Sequence, residues 1–363
     1  MKISVKRKIK KYLISVCVIL AFVTVLANHD VFAGPVRFVA NNFSSSMYPF
    51  VLPNCKIQVA QKSVQLNKKE QSTAETVTQS PTQTTSKSGE QTALANGTST
   101  GNRVITQTID KSGATLSKGD IYIKNQTSKE IDIDTILSNK PNLKITLNSK
   151  KPQVLIVHTH ATECFFPSLV EHYPSDWGER DDDISKNIVE VGKVIAQKLN
   201  IAGIKTIQSK VLHDKESYTG AYDRSRETIK YYLKKYPSIK VVIDVHRDAI
   251  NEEDGDKIRP IVEINNKTAS QIMIISGCQS GPITGYPNWR KNLRFSTRLQ
   301  QKLEQTYPSL ARPLFFAEKK YNQDLCENSF LLEVGSQANL LSEAKYSAEL
   351  FSNVFIDYLK EFS

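Results

Sequence analysis

The run Val154-Leu-Ile-Val157, followed by His158-Thr-His160-Ala-Thr-Glu163, decides how this chain folds. Four consecutive aliphatic residues without polar alternation read as a strand covered on both faces, the kind found in an α/β domain. Working outward, similar runs recur at 205–208, 240–245, 260–264, 272–275 and 330–334. Helical periods lie between and after them, at 184–199 (Ile188, Val191, Ile195 and Leu199 on one stripe), 224–236, 290–307 and 342–359. Strand spacings of about twenty to thirty residues suit crossover helices. The expected fold is therefore α/β, a central mostly parallel sheet flanked by helices.

The rest of the chain reads differently. A basic flank with Lys2, Lys6, Arg7, Lys8, Lys10 and Lys11 precedes an uncharged apolar run, Tyr12 to Ala27, the pattern that leaves an N-terminus inside the cell. Residues 1–33 are expected to be a membrane anchor or signal segment, with Val31-Phe-Ala33 as a weak cleavage site. Residues 34–60, with Phe38, Phe43, Tyr48 and Phe50, form a short membrane-proximal segment. Residues 61–119 are dominated by Ser, Thr, Gln, Lys and Gly, too poor in apolar surface to offset ordering entropy, and read as a disordered linker. The catalytic domain is expected over 120–363, with its core at 151–363.

The formal charge of +11 comes wholly from upstream. Residues 151–363 hold 28 Lys and Arg against 28 Asp and Glu, leaving 20 against 9 before them. A balanced domain removes the main support for nucleic acid as a partner. Five cysteines (Cys17, Cys55, Cys164, Cys278, Cys326) form neither a disulfide framework nor a Cys-x-x-Cys knuckle.

Open α/β sheets place ligands beyond the carboxyl ends of their strands. Three such ends carry chemistry: His158 to Glu163, Asp244-Val-His246-Arg247-Asp248, and Glu333-Val-Gly335-Ser336. Three of the six histidines fall there. Imidazoles and a carboxylate are what a catalytic zinc site uses, with one position left for water. His160, Glu163 and His246 are the candidate ligands for Zn2+. Glu333 is the candidate general acid/base, because a carboxylate inside an apolar strand is costly unless paired or functional. Arg247 is the candidate oxyanion stabiliser. His158 is a bystander, and the acidic run Asp181-Asp182-Asp183 holds alternative ligands to Glu163. Tyr218 to Arg226, and Tyr286-Pro-Asn-Trp289-Arg290 with an exposed-looking aromatic, are candidate contacts to sugars or peptide carboxylates.

Several of these segments together resemble the stage II sporulation protein P family. They are His158 to Glu163, Ala221-Tyr-Asp-Arg-Ser-Arg-Glu-Thr-Ile229, Val242 to Ala249, Pro287-Asn-Trp289, Arg312-Pro313, Tyr321-Asn-Gln323 and Leu332 to Ser336. The resemblance implies a zinc-dependent N-acetylmuramoyl-L-alanine amidase acting on peptidoglycan, in many members also an endopeptidase, with a fold similar to cell-wall amidases. It places metal binding on His160, Glu163 and His246, and catalysis on Glu333. It also implies single-pass membrane attachment with the domain outside the cytoplasm, in the septal intermembrane space during engulfment, and a partner lytic transglycosylase, stage II sporulation protein D. The competing reading is a catalytically inactive, membrane-tethered cell-wall binding or scaffold protein.

Overall fold

The structure, a computed structural model, describes residues 102–174 and 176–363. The anchor and membrane-proximal segments, and residues 61–101 of the linker, lie outside the described residues. Among the described residues no helix is long and apolar enough to cross a membrane.

The strands are β1 (Val104–Gln107), β2 (Leu116–Lys118), β3 (Ile121–Gln126), β4 (Val154–Val157), β5 (Thr206–Gln208), β6 (Val241–Asp248), β7 (Lys257–Ile264), β8 (Lys267–Ser270), β9 (Ile272–Gly277), β10 (Leu314–Ala317) and β11 (Phe330–Ser336). The helices are α1 (Ile133–Leu137), α2 (Ile188–Ile201), α3 (Ala221–Lys235), α4 (Trp289–Thr306) and α5 (Leu341–Lys360). The ordered fold thus starts before residue 120: β1 and β2 come from the stretch expected to be linker. Both are short, half-polar strands, so composition hid them.

Eight strands form the main sheet in the order β2-β3-β10-β9-β11-β6-β4-β5, and β1-β7-β8 form a second. The main sheet is mixed, which corrects the expectation of a mostly parallel one. Antiparallel ladders join β2 to β3 and β9 to β11. The β7–β8 hairpin before β9 turns through Asn265 and Asn266, both at positive φ, as a tight hairpin turn requires.

β4 shows why its run is unbroken. Val154 and Ile156 join the main core with α2, α4 and α5, whereas Leu155 and Val157 pack on the other face with Ile229 of α3. α2 starts at Ile188 and not at 184, because the Asn187 side chain accepts from the Val189 N–H and caps it. Two glycines shape the site. A Cβ on Gly192 would stand 2.5 Å from Cε1 of His158, so α2 can press against that ring only without one. Gly335, at φ +69°, sits where the β11–β6 register shifts between Glu333 and Ser336.

Candidate active site

β4 delivers His158 into the interior, where both ring nitrogens are engaged. Nδ1 lies 2.9 Å from the Val245 carbonyl and Nε2 2.9 Å from the Gln208 amide nitrogen. The first must donate and the second accept, which fixes the tautomer and leaves neither nitrogen for an ion. Burial drives this imidazole down to about 4. His213 is committed in the same way, to the His158 carbonyl and the Thr228 hydroxyl.

His160, two residues on, is different. It is buried, and its Nδ1 has no hydrogen-bond partner and lies 3.9 Å from Asp214 Oδ2. Its ring stacks flat on Tyr218 at 4.2 Å and meets Tyr222 and His246 edge-on at 5.5 and 5.4 Å. Burial, and then the nearby His246, lower its imidazole to about 2, so it stays neutral.

His246 comes from β6, beside β4. Its Nδ1 lies 3.6 Å from Glu163 Oε2 and its Nε2 2.9 Å from Asp244 Oδ1. Burial opposes charge on this ring, but the carboxylates of Asp244, Glu163 and Glu333 outweigh it and raise it to about 10. Asp244 is itself held by the main-chain N–H and hydroxyl of Thr159, at 2.8 and 2.6 Å. Burial works against its ionised form, yet His246 and these donors bring it down to about 2. Glu163 is buried, which raises its carboxyl, and its Oε2 accepts from the Arg247 N–H at 3.1 Å. Glu333 lies on β11 in direct register with His246 and is buried.

The structure therefore brings His160, Glu163, His246 and Glu333 together. The aspartates offered as alternatives to Glu163 stand elsewhere: Asp181 and Asp183 pair with Lys186, and Asp182 with Lys215, on the surface. The Arg247 side chain also serves another purpose. Next to His246 on a strand, it points to the opposite face, and its guanidinium is clasped by the carbonyls of Cys164, Asp248 and Glu179. Arg224 likewise braces its own loop through the carbonyls of His213, Ser217 and Thr219, and Arg226 pairs with Asp324. From that segment it is the aromatics, Tyr218 and Tyr222, that line the site. Trp289, expected to be exposed, is buried against Phe316.

Sequence reasoning gave no role to Asp244, Asp214 or Arg180. Asp244 was discoverable, being two residues from His246 and hence on its face. Arg180 and Asp214 come from loops, where no periodicity exists; Arg180 bonds Asp214 and lies over Tyr218 at 4.7 Å.

Among the described residues no group of three or more His, Cys, Asp or Glu side chains is arranged to hold a metal ion. The donor types nonetheless suit zinc. His160 offers a buried, neutral, unpartnered nitrogen, and His246 has one nitrogen 2.9 Å from Asp244 Oδ1, an ion-pair contact outside hydrogen-bond geometry, and the other 3.6 Å from Glu163 Oε2; a carboxylate behind a histidine is a feature of zinc centres.

Fold and site together define an α/β domain whose strand ends converge on a histidine and glutamate cluster. The chain belongs to the stage II sporulation protein P family, whose model matches residues 40–356. It is 31% identical over 227 residues to Stage II sporulation protein P of Bacillus subtilis (strain 168), an alignment covering 58% of this chain and 52% of that protein. The chain thus spans about half the length of that relative. Among solved structures it is similar to N-acetylmuramoyl-L-alanine amidase AmiC2 of Nostoc punctiforme (13% identity, 58% of this chain and 99% of that one, TM-score 0.33). It is also similar to the CwlD amidase from Clostridioides difficile in complex with the GerS lipoprotein (14%, 57% and 97%, TM-score 0.36). Scores this low leave the fold to be argued from its own topology.

Proposed function

We propose that this chain is a peptidoglycan hydrolase, an N-acetylmuramoyl-L-alanine amidase with endopeptidase action on peptide crosslinks as a second activity, working on the septal wall during sporulation. The observation that supports it is the meeting of His160, Glu163 and His246 at the ends of β4 and β6, with Glu333 in register beside His246. Family membership supports the same reading.

His160, Glu163 and His246 would hold the zinc ion, which when bound supplies Lewis-acid polarisation of the scissile carbonyl. Glu333 takes the proton of the attacking water and returns it to the leaving amine. Asp244 fixes the His246 ring from behind, and Thr159 fixes Asp244. Arg247 is a positioning residue whose main-chain N–H holds Glu163. The basic flank and apolar run of residues 1–27 support a single-pass anchor with the domain outside the cytoplasm. In that place a lytic transglycosylase, stage II sporulation protein D, is the proposed partner.

The full-length protein incubated with intact sacculi should release free stem peptides, and chelation, His246→Ala and Glu333→Ala should each abolish release. Full activity in chelator, or in His246→Ala, would overturn the zinc reading. Product mass separates the two activities, since an intact stem with a free L-alanine amine marks the amidase and a shortened peptide the endopeptidase.

A further inference from the structure

α3 opens at the candidate site. It follows Gly220, at φ +80°, and its second residue is Tyr222. The Tyr222 ring meets His160 edge-on, with centroids 5.5 Å apart, and runs nearly parallel to His246 at 6.4 Å. Among the described residues it is the one tyrosine whose ring faces both histidines; Tyr218 stacks on His160 and is more than half exposed. A phenol, ordinarily titrating near about 10, carries its proton at neutral pH. Here burial, and after it Asp244, Tyr321, Glu333 and Glu163, push it well above that value, so the hydroxyl is a donor set among the acids of the site.

The ring is held in place from behind. Asn322 Nδ2 donates to the Tyr222 carbonyl at 2.8 Å and to Ser225 Oγ at 3.0 Å. The Thr159 hydroxyl is spent on Asp244 at 2.6 Å, so Ser225 must be the donor across the 2.7 Å between the two hydroxyls. One run of hydrogen bonds thus ties the start of α3 to the carboxylate beside His246. Asn322 and its neighbour Tyr321 both take the left-handed conformation, at φ +56° and +48°. Such backbone is costly for a tyrosine and persists only where its surroundings hold it; Arg226, donating to Asn322 Oδ1 at 3.2 Å, is one such hold.

The cationic donors near the site are committed elsewhere: Arg247 to main-chain carbonyls, Arg180 to Asp214 and Arg226 to Asp324. The Tyr222 hydroxyl makes no hydrogen bond among the described residues, and its side chain is half-buried, open on the side of the substrate. We propose that Tyr222 is a catalytic residue of this site, its phenol O–H donating a hydrogen bond to the carbonyl oxygen of the scissile amide as negative charge develops there. The inference rests on the hydrolase reading. Water adds to the carbonyl carbon with its proton passing to Glu333, the carbonyl π pair moves onto oxygen, and the phenol bonds that oxygen while keeping its own proton. Collapse restores the C=O, breaks the C–N bond and sends the Glu333 proton to the leaving amine. Donors of this kind act on charge present only in the transition state, so their loss falls on kcat and not on KM.

The test compares full-length protein with its Tyr222→Phe variant, which keeps the ring and removes only the hydroxyl. Both are given muramidase-digested peptidoglycan, and free stem peptide is followed by mass. Removing the donor should lower kcat about 100-fold. KM, the melting temperature and the zinc affinity in chelator competition should each stay within experimental error, which a packing role would not predict. A kcat within about threefold of the unsubstituted protein would overturn the assignment and leave the hydrolase reading standing. A loss accompanied by a lower melting temperature or weaker zinc binding would make Tyr222 a packing residue and overturn it as well. No release by the unsubstituted protein would remove the hydrolase reading and Tyr222's role with it.

Discussion

Glu333 stands directly opposite His246 on the neighbouring parallel strand, both side chains buried on one face of the sheet. A carboxylate placed in register with a ring that sits among Asp244 and Glu163 adds to an already crowded set of acids. Burying a carboxylate is costly unless it is paired or used, and the proposed hydrolysis uses this one for proton transfer. Glu333→Gln, nearly the same shape without the titrating oxygen, should therefore fold with an unchanged melting temperature and lose about a hundredfold or more of peptide release from sacculi. A variant that cut at the original rate would remove Glu333 from the chemistry.

Asp244 acts one step back. Its carboxylate lies 2.9 Å from His246 Nε2 and is fixed by two donors from Thr159. Supporting groups of this kind orient a histidine ligand and raise its basicity, and their loss costs about 10- to 100-fold in metal affinity. Asp244→Asn should weaken zinc binding by that range in competition with a chromophoric chelator, with circular dichroism unchanged. Undiminished affinity would show that the ring is held by packing alone.

Much of this arrangement was legible in the sequence, and the reasons differ by element. β4, β6, β9 and β11 are covered on both faces, so their apolar runs announce them. β3 alternates Ile121 and Ile123 inward with half-buried Tyr122 and Lys124, and β2 is only Leu-Ser-Lys, so neither rises above its polar surroundings. At the site, strand ends led directly to His160, Glu163, His246 and Glu333. Arg247 was misjudged for a reason the sequence contained: neighbours on a strand face opposite ways, so a role beside His246 belonged to Asp244 or Asp248. The loop contributions of Asp214 and Arg180 depend on long-range closure, which no local pattern reports.

His158 makes stability depend on pH. Its folded-state value, about 4, lies below the ordinary 6.5 because the ring is buried, which outweighs the hydrogen bond to the Val245 carbonyl and the charge of Asp244. A depressed value means that the unfolded chain takes up the proton first. The stability is fully present above the unfolded value and is lost as pH falls from about 6.5 to about 4, amounting to roughly 3 kcal/mol for a shift of this size. Urea denaturation of chelator-treated protein should show this loss, and His158→Asn should start less stable at pH 7 yet lose about 3 kcal/mol less across the window. Parallel curves for the two proteins would rule out His158 as the source.

Arg247 provides a contrast in magnitudes. If its guanidinium stabilised an oxyanion, removing it would cost about 10²- to 10³-fold in kcat with little effect on folding. The structure instead directs it at the carbonyls of Cys164, Asp248 and Glu179, joining β6 to the loop that carries Glu163. Leaving those buried acceptors unsatisfied costs about 1–3 kcal/mol for each group truly stranded. Arg247→Met should therefore lower stability by about 2–5 kcal/mol. The main-chain N–H that holds Glu163 survives the substitution, so activity per folded molecule, measured well below the melting temperature, should stay within about fivefold, far short of the loss expected for an oxyanion group. A stable Arg247→Met protein with a hundredfold lower kcat would reverse the assignment and return the guanidinium to the reaction.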